Sequence, residues 1–261
     1  MELAARVDVD PRFGTIFAYG GPVAEPALGP SAFMHRQSAR LNPEAPITHH
    51  WFDSTHISYG VLTAGVSTSK FQLEVSAFRG REPDEFRWNI EAPKLDSWSV
   101  RASWNPSPAW SAQVSYGRLK SPEESHPGED EGRFTSSLSY NQFGLAITAG
   151  VSVKNRLPGP ALTAWLVEAN YDIGDHRTIF GRFENVNNDE LFNDELDPRH
   201  EVAFRVSKFA LGYAYTIPIT SNVNLALGGS ASVYRKPAAL DDAYGKAPKS
   251  FTLFAKLSLG R

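Results

Sequence analysis

Cysteine is absent from the 261 residues, which excludes a disulfide framework and any thiolate-held metal. The absence fits an envelope protein. Charge of one sign is also lacking: 26 Lys and Arg stand against 29 Asp and Glu, a net charge of −3, so neither nucleic acid nor an anionic surface is an expected partner. No run approaches the roughly 18 apolar residues that a membrane helix needs. That excludes a helical span only. A membrane strand needs about 10 residues, half of them facing a polar interior, so a strand-built membrane protein is mildly hydrophilic on average. The start of the chain lacks an apolar signal-peptide core as well, because Glu2, Arg6 and Asp8 interrupt Leu3, Ala5, Val7 and Val9. It has the pattern of a strand already under way.

What is present is a period of two. Trp98, Val100, Ala102 and Trp104 alternate with Ser97, Ser99, Arg101 and Ser103, and after Asn105-Pro106-Ser107-Pro108 the pattern resumes as Trp110, Ala112, Val114 and Tyr116. In strands this puts large apolar groups on one face and small polar ones on the other. Aromatic residues stand at the ends of each apolar stripe, as on strands whose ends meet the two headgroup layers of a bilayer. The other face holds Ser, Gly and Gln rather than the Lys, Glu and Thr of a water-facing sheet, which suits a crowded or wet barrel interior.

Similar stripes recur along the chain, as in Phe71, Leu73, Val75 and Ala77, in Leu145, Ile147, Ala149 and Val151, and in Phe251, Leu253, Ala255 and Leu257. About thirteen strands result, joined alternately by six short and six longer connections. That alternation predicts an all-β fold, an antiparallel up-and-down transmembrane β-barrel with long loops at one end and tight turns at the other. A propeller or an immunoglobulin-like sandwich does not require it. The whole of 1–261 is expected to form a single domain. In Glu201 to Ile217 the parity of Val202, Phe204 and Val206 differs from that of Phe209, Leu211 and Tyr213, which predicts a β-bulge near Ser207-Lys208. An odd strand count would put the N-terminus outside the cell. One or three further strands upstream would restore the parity, so 14 or 16 strands are expected in the complete protein, with this chain an N-terminally truncated form lacking its signal peptide.

The longest connection, 21–55, carries Pro at 22, 26, 30, 43 and 46 and is expected to be extracellular and to fold over or into the barrel, with a short helix in Ser31 to Arg40. The stretches Gly21-Pro22-Val23-Ala24-Glu25-Pro26 through His35-Arg36, Asn42-Pro43-Glu44-Ala45-Pro46 through His49-His50, Asp53-Ser54-Thr55-His56, Gly80-Arg81-Glu82-Pro83-Asp84-Glu85 and Asn188-Asp189-Glu190-Leu191 resemble a family of uncharacterised bacterial outer-membrane β-barrel proteins. The resemblance spans nearly the whole chain and implies the same fold in the outer membrane of a Gram-negative bacterium, among outer-membrane lipid and the barrel-assembly machinery. Family members extend further at the N-terminus. The resemblance implies no activity. The chain ends on Leu259-Gly260-Arg261, whereas many barrels end on an aromatic residue that the insertion machinery reads.

Chemistry concentrates in the long connection. His35, His49, His50, Asp53 and His56, with Met34 nearby, offer imidazole and carboxylate ligands suited to Cu or Zn, but the spacing is not diagnostic and the favoured expectation is that these side chains and Arg36 knit the loop to the barrel wall by hydrogen bonds. No other cofactor is expected. A second group, Arg79, Arg81, Glu82, Asp84, Glu85 and Arg87, joins Lys70, Gln72, Glu74 and Arg101 as a lumen or constriction lining. Ser54 and His56 are too little for a hydrolase without a nucleophile elbow, so no enzyme is expected. The leading expectation is a porin-like channel for small polar solutes or ions with 21–55 as its lid. A metal-binding or structural envelope barrel without transport is the alternative, and an outer-membrane hydrolase the minor one.

Overall fold

The computed structural model describes residues 2–82, 94–123, 126–192 and 194–259, without the Ser54 side chain. Thirteen strands form one antiparallel up-and-down sheet in sequence order, so the all-β fold class expected from the alternation is the one adopted. They are β1 (Leu3–Val9), β2 (Thr15–Ala24), β3 (Ser58–Ser67), β4 (Phe71–Phe78), β5 (Ser97–Ser107), β6 (Trp110–Leu119), β7 (Asp130–Gln142), β8 (Leu145–Leu157), β9 (Ala161–Ile173), β10 (Arg177–Asn188), β11 (Phe204–Thr220), β12 (Val223–Arg235) and β13 (Lys249–Leu259). β1 and β13 are the ends of the sheet. No described helix is long and apolar enough to cross a membrane, which says nothing of strands.

The inner strands separate their residues as the period of two requires, while β1 is exposed throughout. On β4 Leu73 and Val75 are exposed while Glu74 and Ser76 are buried; on β5 Trp98 and Trp104 are exposed while Ser97 and Ser99 are buried. The burial is therefore inverted relative to a water-soluble sheet, with charge inside and aromatics outside. Phe251 and Leu253 on β13 are 82% exposed against 46% for Trp98, because β13 has a strand on one side only.

Three local expectations change. β11 pairs with β10 without interruption from Phe204 to Tyr215, so the bulge expected at Ser207-Lys208 is absent. Phe204 lies on the same face as buried Lys208 and meets the Phe192 ring at 6.3 Å, and a lone aromatic with a partner there needs no change of register. Register does shift between Trp104 and Ser107 and between Pro218 and Thr220, where Pro106 and Pro218 remove ladder donors. Second, β2 runs to Ala24, so the long connection is 25–57, and its 31–40 segment holds only the 3-10 turns Phe33–His35 and Gln37–Ala39. A short helix, α1 (His49–Phe52), forms later in it. Third, β8 extends to Leu157, leaving only 158–160 before β9, so the fourth of the six expected longer connections is short.

The chain forms two compact units, Met1–Ala32 with His49–Leu138 and Gly150–Thr163, and Phe33–Thr48 with Ser139–Ala149 and Ala164–Arg261. Each takes part of the long connection against its own stretch of polar sheet face.

Candidate functional site

In the first unit, residues 25–32 lie as a strap across β4, β5 and β6. The strap has no ladder of its own, and the Ser residues of the polar face supply what it lacks. Ala27 N donates to Ser76 Oγ at 2.8 Å and Gly29 N to Ser115 Oγ at 2.9 Å. Arg101 Nη1 donates to the Gly29 carbonyl at 3.1 Å while its Nε holds Glu74 Oε2 at 2.9 Å. Leu28 fills an apolar pocket of Ala24, Val61, Phe78 and Leu119. Gly117 makes that seat possible: a Cβ there would come within 3.1 Å of both Leu28 methyl carbons. Burying one Leu side chain contributes about 1.5–3 kcal/mol. Beside the strap, burial pushes the Glu25 carboxyl up to about 7, against the opposing pull of Arg101.

The same unit receives α1. Trp51 is fully buried, its indole N–H donating to the Leu162 carbonyl at 3.1 Å and its own carbonyl accepting from Ser152 Oγ at 2.8 Å. Lys154 Nζ stands 5.3 Å over the indole ring. Phe52 lies where Gly150 leaves room, since a Cβ there would sit 2.9 Å from its ring. Lys154 also pairs with Glu123 and, at 3.7 Å, with Glu131, whose Oε1 accepts from Arg133 Nε at 2.7 Å.

In the second unit, residues 33–48 are held by buried charge. Glu168 accepts from Arg36 Nε at 2.6 Å, from Arg182 Nε at 2.9 Å and from Ser38 Oγ at 3.0 Å. Arg182 also donates to the Glu44 carbonyl at 2.8 Å. The Glu44 carboxylate takes Lys208 Nζ at 2.5 Å and the Thr252 hydroxyl. Burial would raise the Glu44 pKa, but the Lys208 and Thr252 hydrogen bonds and the charges of Lys208 and Arg182 outweigh it and lower the group overall. Thr48 donates its N–H and hydroxyl to Glu184 at 3.1 and 3.0 Å, Arg40 pairs with Asp172, and Lys256 Nζ donates to the Arg40 carbonyl at 2.5 Å.

The predicted metal ligands divide. His49, His50, Asp53 and His56 are neighbours around α1, with His49 ring centroids 5.6 Å from both His50 and His56. His49 Nδ1 lies 3.8 Å from Asp53 Oδ2, and His56 Nδ1 is 2.6 Å from the Asp53 carbonyl. His35 is exposed in the second unit. Burial above all lowers the His50 pKa, with Glu82 opposing and Lys154 assisting.

The predicted lining divides too. Glu74 and Arg101 pair on the polar face beneath the strap. Lys70 is exposed in the β3–β4 turn, at the opposite end of β4 from Arg79, Arg81 and Glu82. Asp84, Glu85 and Arg87, like the terminal Gly260-Arg261, lie outside the described residues, as does the Ser54 side chain of the hydrolase reading.

Sequence reasoning named Arg36 as a residue that knits the connection to the wall, as it does through Glu168, but did not single out Glu44, Trp51, Lys154, Glu168, Arg182 or Lys208. A signal existed: Lys154, Glu168, Arg182 and Lys208 occupy positions of the buried parity in their strands. A buried charge persists only when paired.

Neither a protein-family profile nor a curated protein matches the sequence. Solved structures do. An anion-selective porin from Comamonas acidovorans aligns with a TM-score of 0.58 at 11% identity over 98% of this chain and 77% of that one. OprB of Pseudomonas putida aligns with a TM-score of 0.58 at 12% identity over 94% and 70%. A loop-deletion mutant of OmpT, an outer membrane protein of Vibrio cholerae, aligns with a TM-score of 0.53 at 10% identity over 96% and 77%. The likeness is one of fold, an antiparallel up-and-down sheet of the porin kind.

Proposed function

We propose that this chain is an outer-membrane barrel of a Gram-negative bacterium that passes small polar solutes or ions, with connection 25–57 as a fixed constriction rather than a hinged lid. The observation that carries this reading is the seating of the connection along the polar face by charged and hydroxyl groups, while the opposite face leaves Trp98, Trp104, Trp110 and Trp165 exposed. Lipid covers that aromatic face, because a bilayer is the medium that rewards such exposure. The expected partners are outer-membrane lipid and the assembly machinery.

A lid that opens would have to leave Trp51 and Leu28 unburied and Arg36, Arg182 and Glu168 unpaired in one step. Leaving even one buried charge without its partner costs about 3–5 kcal/mol. A constriction of fixed polar atoms fits that arrangement, and the reading is of a protein that is not an enzyme.

Planar-bilayer conductance of the folded chain tests the proposal. Discrete conductance steps that grow when 33–48 is replaced by a short Gly-Ser link are expected. Folded, inserted protein with no steps in either form would overturn it in favour of a structural or metal-binding barrel, a second reading favoured by the density of bonds that hold the connection in place.

A further inference from the structure

We propose that the second unit binds the phosphate-bearing headgroup of a membrane lipid through Arg235 and Lys249, flanked by Arg205, on the apolar face of β12, β13 and β11 at their long-loop end. The inference rests on the reading of this chain as a membrane barrel and adds to it which lipid that face takes. A net charge of −3 gives no hint of such a partner, because the cations are gathered in one place.

Parity and register bring the three together. Arg205 shares its face with exposed Phe209 and Leu211, Arg235 with exposed Val233, and Lys249 with exposed Phe251 and Leu253, while Lys208 and Ser232 are buried on the other face. Each adjoins a long connection, 189–203 or 236–248, so all stand at one end of the sheet. Ser207 pairs with Arg235, and Val233 with Lys249. Arg205 and Arg235, and likewise Arg235 and Lys249, are therefore diagonal neighbours on one face, with backbones about 7–8 Å apart at each step. Long side chains rooted that far apart reach a single phosphate group between them.

Local charge is left over at this rim. Among the described residues no carboxylate lies within ion-pair distance of Arg235 or Lys249. The acids of the adjoining connection are taken, Asp241 by Lys236 at 2.6 Å and Asp242 by Arg199 at 2.7 Å. Arg205 Nη1 donates to Asn185 Oδ1 at 2.7 Å and Asn185 Nδ2 to Ser207 Oγ at 2.8 Å, a polar ledge beside the two cations. The first unit differs at this level: its exposed Arg118 meets Asp130 at 3.0 Å.

What continues along the strands from the cations selects a lipid over a soluble anion. Phe209 and Leu211 on β11, Val233 and Leu227 on β12, and Phe251, Leu253 and Leu257 on β13 are all exposed on the same face. A ligand with an anionic head and acyl chains satisfies both surfaces, whereas a free ion meets only the cations. Basic side chains at a membrane surface each add to the attraction of anionic headgroups.

The test is native mass spectrometry of the folded full chain in non-ionic detergent, titrated with bisphosphorylated lipid A and, in parallel, with lipid A stripped of its phosphates. Preferential retention of the phosphorylated form is expected. Arg235→Gln and Lys249→Gln change exposed side chains, so strand content by circular dichroism should hold while binding weakens roughly fivefold in each and more than tenfold in the pair. Arg235→Lys should keep most of the binding. Arg177→Gln, at the short-turn end of the same unit, should change nothing. Equal retention of both lipids, or an equal loss in Arg177→Gln, would overturn the site. Displacement of the lipid by inorganic phosphate at matched phosphate concentration would make it a free-anion site and overturn the lipid assignment. A chain that conducts but shows no preference loses this site and keeps the channel reading; a silent chain that holds the phosphorylated lipid does the reverse.

Discussion

Arg36, carried by a connection with no regular strand or long helix, reaches Glu168 on β9 at 2.6 Å with both side chains buried. Arg182 reaches the second oxygen of the same carboxylate from β10, so one acid holds two guanidinium groups. Glu168→Gln is expected to destabilise the second unit by about 3–5 kcal/mol, the scale for stranding a buried charge. Denaturant unfolding measures it. Limited proteolysis is expected to cut within 33–48 in the variant first, and equal resistance to wild type would show that the pair does not anchor the connection.

Leu28 depends on a missing side chain. Gly117→Val would put methyl groups where Leu28 now sits and force the strap off β6. Leu28→Ala is expected to cost about 2–5 kcal/mol. In the double variant the two losses should fall short of additivity, because each removes the same contact. Strict additivity in thermal or denaturant melts would show that Leu28 and Gly117 act apart.

Glu25 makes the strap sensitive to pH. Its carboxyl is raised from 4.5 to about 7 by burial, so the folded state holds the proton more tightly than the unfolded one. Stability from this group is therefore full below about 4.5 and falls as pH rises through about 7, by at most about 3 kcal/mol. Hydrogen exchange at the Ala27 and Gly29 amides, which bond to Ser76 and Ser115, should accelerate over that window beyond the intrinsic rate. Glu25→Gln should remove the extra acceleration.

Tryptophan fluorescence separates the two faces. Single-Trp variants keeping Trp98, Trp104, Trp110 or Trp165 should be quenched by brominated lipid, since each side chain lies on the exposed apolar face. A variant keeping only Trp51, buried with its indole bonded to the Leu162 carbonyl, should resist quenching. Equal quenching of Trp51 would mean that α1 leaves the polar face in the membrane.

The loop between 189–203 and the one after β12 are pinned by Arg199, which donates to Asp242 at 2.7 and 2.9 Å and stacks over Phe192 at 4.0 Å. Arg199 hydrogen bonds also hold the Asp197 carboxyl down at about 2. What Asp197 contributes is present above its ordinary pKa of 3.8 and lost as pH falls through about 2. Protease cleavage in 194–203 should therefore rise in Arg199→Ala at neutral pH, with strand content unchanged by circular dichroism.

Strand number, sheet order and the face of each side chain could be read from the chain itself, because a period of two is a local property and membrane strands pair with their neighbours in sequence. Trp98, Trp104, Trp110, Val114 and Tyr116 illustrate it, all on the exposed apolar face, whereas Leu119, of the other parity, is buried against Leu28. Register changes were less legible. Phe204 was expected to obey the apolar stripe and instead packs on Phe192, a partner that only the folded loop supplies.

The sequence by itself determined that charged residues such as Lys154, Glu168 and Arg182 face the polar side, since parity alone sets that. Tertiary structure decided what they do there. Glu168 meets Arg36 across 132 positions of chain, and Lys208 meets Glu44 across 164. Such pairings have no period and no local propensity behind them; they arise where the cost of burying a charge leaves only paired arrangements open.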